Sequence, residues 1–308
     1  MHHAPSEVAL PPATGVLGTV KAYVALTKPR IIELLLVTTI PAMFLAAGGV
    51  PPLGVALATF LGGTLSAASA NVFNSIIDRD IDEQMRRTRR RPMARDLVQV
   101  RAAVAFAVLL GLGSMLLLGL GANWLSAGLS LLAILYYVLI YTVWLKRRTP
   151  QNIVWGGVAG CFPPLIGWTA VTGSVALPPV ILFVIVFFWT PPHTWALGLR
   201  YREDYARADV PMLPVVAQAP QVTRQMLVYS VLTVLVSLTL WPAAQTGWIY
   251  PTVAAVAGAW LIWESLALHR RAGHGLQDAA LRPMRLFHWS NSYLALVFIA
   301  AAIDPLLT

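Results

Sequence analysis

Apolar runs long enough to cross a bilayer follow one another along almost the whole chain, each closed by Gly, Pro or a cluster of charge. A spanning helix needs about 20 apolar residues. On that measure the pattern predicts nine helices, roughly 31–49, 53–77, 99–120, 124–144, 152–171, 178–199, 223–242, 248–268 and 285–303. The expected fold is therefore all-α, a polytopic membrane protein with nine transmembrane helices. It divides into an N-terminal segment 1–30 and a nine-helix domain 31–304. Two loops on one face are long and acidic, 78–98 and 200–222, whereas the turns on the other face, near 50–52, 121–123, 172–177 and 243–247, are short. Both long loops follow even-numbered helices and carry acids among arginines, which suggests two related halves closing around one site.

Charge sets the orientation. All 22 Lys and Arg lie in or beside the segments 1–30, 78–98, 145–151, 200–222 and 269–284, and none falls in the opposite turns. Basic loops stay in the cytoplasm, so the N-terminus is expected inside and, after an odd number of spans, the C-terminus outside. Composition agrees: 57% of the 308 residues are hydrophobic and 11% charged, against about 25% charged in soluble proteins, and mean hydropathy is +0.68. The partner this implies is the lipid bilayer. The net charge of +9 is then topogenic, and no nucleic acid is expected. The one cysteine, Cys161, excludes an internal disulfide. Residues Met1 to Gly18 lack the basic-then-apolar pattern of a cleaved signal peptide.

The chemistry concentrates where the second apolar run ends. Asn74, Asp78 and Asp82 are spaced four apart, and Arg86-Arg87-Thr88-Arg89-Arg90-Arg91 follows at once. Positions four apart advance about 40° and rise about 6 Å on a helix, so the three form one polar stripe. A carboxylate at mid-membrane costs roughly 2.5–3.5 kcal/mol, less towards the interface, and therefore faces a cavity or a partner. Two carboxylates one turn apart repel unless a cation lies between them, and hard oxygen ligands in that number suit Mg²⁺ shared with a substrate phosphate. The second long loop supplies Tyr201, Arg202, Glu203, Asp204 and Asp209.

With those residues stand Leu26-Thr27-Lys28-Pro29-Arg30, Ala70-Asn71-Val72-Phe73-Asn74, Leu145-Lys146-Arg147-Arg148-Thr149, Trp189-Thr190-Pro191-Pro192-His193 and Pro211-Met212-Leu213-Pro214. Together they make the chain resemble the UbiA-type intramembrane prenyltransferase superfamily from about residue 20 to 300, and within it the branch that farnesylates heme. The resemblance implies a central cavity capped by cytoplasmic loops, in the cytoplasmic (inner) membrane of a bacterium. Farnesyl diphosphate is the implied donor and heme b the implied acceptor. It carries Asn74, Asp78, Asp82 and Asp204 over as Mg²⁺ ligands, with the three aspartates catalytic. Lys28, Arg30, Arg87, Arg91, Lys146, Arg148, Tyr201 and Arg202 become candidate diphosphate contacts. Tyr136, Tyr137 and Tyr141 are candidate shields for an allylic cation, and His193, after the Pro191-Pro192 pair, is the candidate heme ligand or porphyrin contact. Asp209 departs from the family pattern, and His288 occupies a variable position. Product hand-over to heme A synthase or to terminal oxidase assembly proteins would follow.

Blander readings compete at several positions. Asp80 and Glu83 lie off the stripe and are expected to pair with neighbouring arginines. Topology alone explains much of the run 86–91, His269 and His274 fit the interface, and Glu33 and Glu264 carry no assigned role. Three other functions stay open: a cousin that prenylates an aromatic or quinone precursor, a transporter coupling ions through intramembrane acids, and a heme-binding assembly factor.

Overall fold

A computed structural model describes residues 15–276 and 278–307; residues 1–14 of the expected N-terminal segment lie outside that range. Among the described residues there are nine helices long and apolar enough to cross a membrane: α1 Pro29–Ala47, α2 Leu53–Ile77, α3 Val100–Gly121, α4 Trp124–Leu145, α5 Asn152–Thr172, α6 Leu177–Arg200, α7 Ala219–Ala244, α8 Ile249–Gly273 and α9 Pro283–Leu307. These are the nine expected spans, and the described residues contain no strand. A further helix, Val16–Thr27, precedes α1. Lys28 separates the two in a left-handed conformation, φ 53°, and Pro29 opens α1, where its missing N–H costs nothing. The last three spans run longer than expected, α8 to Gly273 rather than 268 and α9 to Leu307 rather than 303, and α7 starts at Ala219 rather than near 223. Pro220 sits in its first turn and Gln218 and Gln221 form a reciprocal capping box, so polar residues extend the apolar run.

The helices form a ring in which α9 packs back on α1 and α6, while α1 also packs on α5 and α2 on α3. In lipid the hydrophobic effect does not drive helices together, so close packing and polar bridges do. Ser130 Oγ donates to Ser66 Oγ at 2.7 Å across α4 and α2, Ser126 and Thr169 pair at 2.8 Å across α4 and α5, and Ser237 and Tyr293 at 2.7 Å across α7 and α9. Each such bond is worth about 0.6 kcal/mol. At Gly167 an added Cβ would stand 2.3 Å from the Thr39 carbonyl oxygen, so α1 and α5 cross there almost backbone to backbone. The outer surface is apolar: Leu109, Leu112, Leu116 and Leu120 line one face of α3 with 68, 54, 55 and 77% of their surface exposed, a row that lipid tails would cover.

One local departure shapes the site. Within α4, Tyr136–Leu145 winds as a π-helix. The Lys146 N–H donates to the Tyr141 carbonyl at 2.9 Å, and the Thr142 hydroxyl donates to the Tyr137 carbonyl at 2.8 Å, both five residues back. At about 3.6 residues per α-turn, Tyr137 and Lys146 would point to opposite sides. A π-turn takes a little over four residues, which puts Tyr137, Thr142 and Lys146 on one face.

Candidate active site

The polar stripe survives the end of α2. The Asp78 N–H donates to the Asn74 carbonyl at 2.9 Å and the Asp82 N–H to the Asp78 carbonyl at 2.8 Å, so helical register carries into the short helix Arg79–Gln84. All three side chains are buried. Asn74 Nδ2 donates to Asp78 Oδ2 at 2.6 Å and to Thr142 Oγ1 at 3.2 Å, and Lys28 Nζ donates to Asn74 Oδ1 at 2.5 Å. Lys146, aimed by the π-turn, pairs with Asp78 Oδ2. Arg91 Nη1 spans both Asp82 oxygens, at 2.9 and 3.0 Å. Lys28, Asn74, Asp82, Arg91 and Lys146 border a chamber of about 170 Å³ together with Arg87, and Asp78 stands behind that wall, bonded to Asn74 and Lys146. Burial, with Arg91 and Lys146 nearby, pushes the Lys28 ammonium down to about 7. Crowded cations of that kind are relieved by an anion.

Two apolar cavities adjoin the chamber. One, about 260 Å³, reaches Tyr141, Trp189, Thr190 and Leu294. The other, about 190 Å³, reaches Thr39, Gly63, Ala67 and Ile166. Ile31 and Tyr137 border all three spaces. A charged pocket thus opens onto apolar volume deep among the helices, the shape required by a molecule with an anionic head and a hydrocarbon body.

Residues 35–291 match the UbiA prenyltransferase family. The chain belongs to that family. Within it, the chain is similar to the protoheme IX farnesyltransferase of Cutibacterium acnes, 64% identical over 94% of this chain and 86% of the relative. It is also similar to the one from Nocardioides sp., 59% identical over 93 and 91%. Solved structures with the same fold include a digeranylgeranylglyceryl phosphate synthase, TM-score 0.76, 18% identical, covering 94% of this chain and 99% of that one. Another is a UbiA homologue from Archaeoglobus fulgidus bound to DMAPP and Mg²⁺, TM-score 0.61, 15% identical, covering 92 and 99%. The chain is thus a multi-pass membrane prenyltransferase of the protoheme IX farnesyltransferase group.

Not every expected site residue of this prenyltransferase meets in the chamber. Asp204 is buried, but it borders an outer cavity of about 440 Å³ with Arg86, Arg200, Tyr201 and Arg202. Its charge partner is Arg207 at 3.7 Å, and no three acids or histidines among the described residues stand close enough to hold a metal ion. Arg87 borders both spaces. Its Nη2 donates to the Tyr205 hydroxyl at 2.6 Å, and its guanidinium carbon lies 5.5 and 5.0 Å from the Tyr201 and Tyr205 ring centres. The expected convergence of Asp204 on Asp78 and Asp82 is therefore absent among the described residues: Arg207 takes Asp204, while Lys146, from the end of α4, takes Asp78 and Arg91 takes Asp82. Arg30 and Asp209 are exposed. Arg148 lines a surface groove with Tyr136, Trp144 and Trp155, outside the chamber. His193 is stacked between Trp189, 4.2 Å, and Phe287, 4.4 Å, with Nδ1 on Ser290 Oγ at 2.8 Å. It does not border the cavity that Trp189, Thr190 and Thr194 line. His288 is exposed. Asp80 pairs with Arg147 at 2.6 Å and Glu83 with Arg79 at 3.1 Å, as expected, and the Arg147 bond holds the Asp80 carboxyl below the usual range. Glu264 is buried against Arg285 at 2.7 Å.

The structure adds three residues to the site. Asn152 lines the chamber and donates to the Lys146 carbonyl at 3.0 Å. Thr142 sits under Asn74, and Tyr205 closes the chamber against Arg87. A lone asparagine opening an apolar span soon after Lys146-Arg147-Arg148 was the one readable signal among them. Asp78 Oδ1 and Asn152 Oδ1 are buried without hydrogen-bond partners, a cost of about 1–3 kcal/mol each. Acceptor-only oxygens left over beside Asp82 fit a divalent cation.

Proposed function

We propose that the chain transfers the farnesyl group of farnesyl diphosphate to a vinyl group of heme b in a Mg²⁺-dependent reaction, giving heme o for terminal oxidases. It does so in a bacterial cytoplasmic membrane, with segment 1–30 and the basic face in the cytoplasm. The single observation that carries the reading is the buried chamber in which Asn74, Asp78 and Asp82 meet Lys28, Arg91 and Lys146 directly above apolar cavities. The close similarity to protoheme IX farnesyltransferases supports the choice of acceptor.

Asp78 and Asp82, with Asn74 beside them, would hold the Mg²⁺; Asp204 stands across Arg87 as the further candidate ligand. Held there, Mg²⁺ would supply the positive charge that offsets repulsion between these carboxylates and a diphosphate. Lys28, Arg91 and Lys146 bind the same head group and stabilise the negative charge that grows on it as the C1–O bond breaks and the electron pair leaves with the diphosphate. Arg91 does so with a planar guanidinium suited to two oxygens at once. Tyr137 and Tyr141 line both the chamber and the adjoining cavity, so an allylic cation formed there would lie within reach of aromatic rings that stabilise it. The apolar walls keep water from C1, and the vinyl π pair of the acceptor forms the new C–C bond. Positive charge then resides on the neighbouring vinyl carbon, which takes up water and releases a proton, leaving a hydroxyethylfarnesyl substituent. Trp189, which lines the 260 Å³ cavity, is offered as the wall for the porphyrin, and His193, held by Ser290 and stacked on Trp189, backs it from behind.

Membranes incubated with heme b, farnesyl diphosphate and Mg²⁺ should yield a heme heavier by one farnesyl group and one hydroxyl in extracted-heme mass spectra. Untouched heme b together with prenylation of an aromatic acid would overturn the acceptor assignment.

A further inference from the structure

The two apolar cavities differ in volume and in the residues that line them, and the difference divides the substrates between them. Resting on the function proposed above, we infer that the 190 Å³ cavity is the channel for the prenyl tail and that Gly63 at its floor sets the tail length accepted. The cavity runs along the face of α2 that carries Gly63, Ser66, Ala67, Ala70 and Asn71, one turn from Asn74. The helix that holds the diphosphate end thus also walls the tail.

Depth fits the donor. From Asn74 to Gly63, at 1.5 Å per residue, α2 offers about 16 Å. A farnesyl main chain with bonds of about 1.5 Å extends about 14 Å in a staggered conformation. A geranylgeranyl chain, one isoprene longer, reaches about 19 Å on the same count and overshoots. The channel ends there because α1 and α5 meet just below: Thr39 and Ile166 line the deep end, and Gly167 lets the Thr39 carbonyl come within 2.3 Å of where a Cβ would stand.

Gly63 is the free position on that floor. A Cβ built on it meets nothing within 4 Å, whereas one on its neighbour Gly62 would strike Leu118 at 2.7 Å. A larger side chain at 63 enters the channel without disturbing helix packing. The 260 Å³ cavity, with Tyr141, Trp189 and Thr190 on its walls, is the broader and more aromatic space and suits a flat acceptor ring. The two cavities share Ile31, Leu35, Tyr137 and Gly160, and Tyr137 also borders the chamber, so donor C1 and acceptor vinyl would meet at Tyr137.

The test compares geranyl, farnesyl and geranylgeranyl diphosphate as donors to heme b with Mg²⁺, in the wild type and in Gly63→Leu. The wild type should favour farnesyl over geranylgeranyl. Gly63→Leu should lower farnesyl transfer by roughly 10–100-fold while keeping geranyl transfer, since pocket discrimination between chains works on this scale. An unchanged farnesyl-to-geranyl ratio overturns the inference. Should Gly63→Leu fail to accumulate, Gly63→Ala decides: the ratio should fall about fourfold for the one added carbon, and no change overturns the inference. Mg²⁺-dependent binding of geranyl and farnesyl diphosphate to the purified protein is measured in parallel without heme. A wild type that makes no prenylated heme refutes the acceptor reading, while the binding ratio still scores Gly63 for or against.

Discussion

The two long loops, 78–98 and 200–222, both mix acids with arginines and are used differently. After α2, helical register continues through Asp78 to Asp82, so the carboxylates stay buried on one stripe and meet Arg91 from the same loop and Lys146 from the far end of α4. After α6, the chain breaks at Tyr201 into the short helix Arg202–Arg207, and Asp204 turns to the outer cavity, where it pairs with Arg207 at 3.7 Å. Arg87, from the first loop, stands between them on Tyr205 of the second. Continuous helix fixes the first acidic group in the chamber. The second acid depends on a loop, and on where Arg87 stands.

The largest effect should separate the loops outright. Asp78→Asn or Asp82→Asn should cost about 10³-fold or more in heme prenylation, the range seen when a charge-stabilising group is lost, with the protein still accumulating in the membrane. Asp204→Asn, acting from outside the chamber, should cost about 10–100-fold. Equal losses at all three positions in a membrane turnover assay would erase the distinction. Lys146→Met removes the partner of Asp78 and with it the proposed diphosphate contact, and should lower kcat about 10²-fold with little change in heme KM.

Much of this contrast was legible in the chain, for physical reasons. Hydrocarbon thickness demands about 20 apolar residues per crossing, so the spans announce themselves, and four-residue spacing alone aligned Asn74, Asp78 and Asp82. The π-turn was hidden because Tyr136 to Leu145 are as apolar as the α-helical residues before them; the winding shows only in bonds reaching back five residues. Without it Tyr137 and Lys146 look like residues of opposite faces. The separation of Asp204 was hidden too, since residue type says that an acid is near arginines but not which arginine takes it. His193 reads as a ligand by type, and its stacking between Trp189 and Phe287 depends on α9, nearly a hundred residues on.

Arg87→Ala sharpens the comparison at the boundary. Removing the guanidinium that spans Tyr201 and Tyr205 joins chamber to outer cavity, and farnesyl diphosphate hydrolysis to the alcohol should rise about tenfold relative to heme prenylation. An unchanged product ratio would mean that Arg87 does not divide the two spaces. The smallest effect is expected at Thr142→Val, which deprives Asn74 Nδ2 of its second acceptor at 3.2 Å. A neutral hydrogen bond is worth about 1 kcal/mol, so turnover should fall about fivefold, and Thr142→Ser should restore it.

The most direct test measures heme product from purified wild-type, Asp78→Asn and Asp204→Asn proteins side by side, with heme b, farnesyl diphosphate and Mg²⁺. The account predicts farnesylated heme from the wild type, none detectable from Asp78→Asn, and a reduced but measurable yield from Asp204→Asn. Wild-type yield from Asp78→Asn would contradict it.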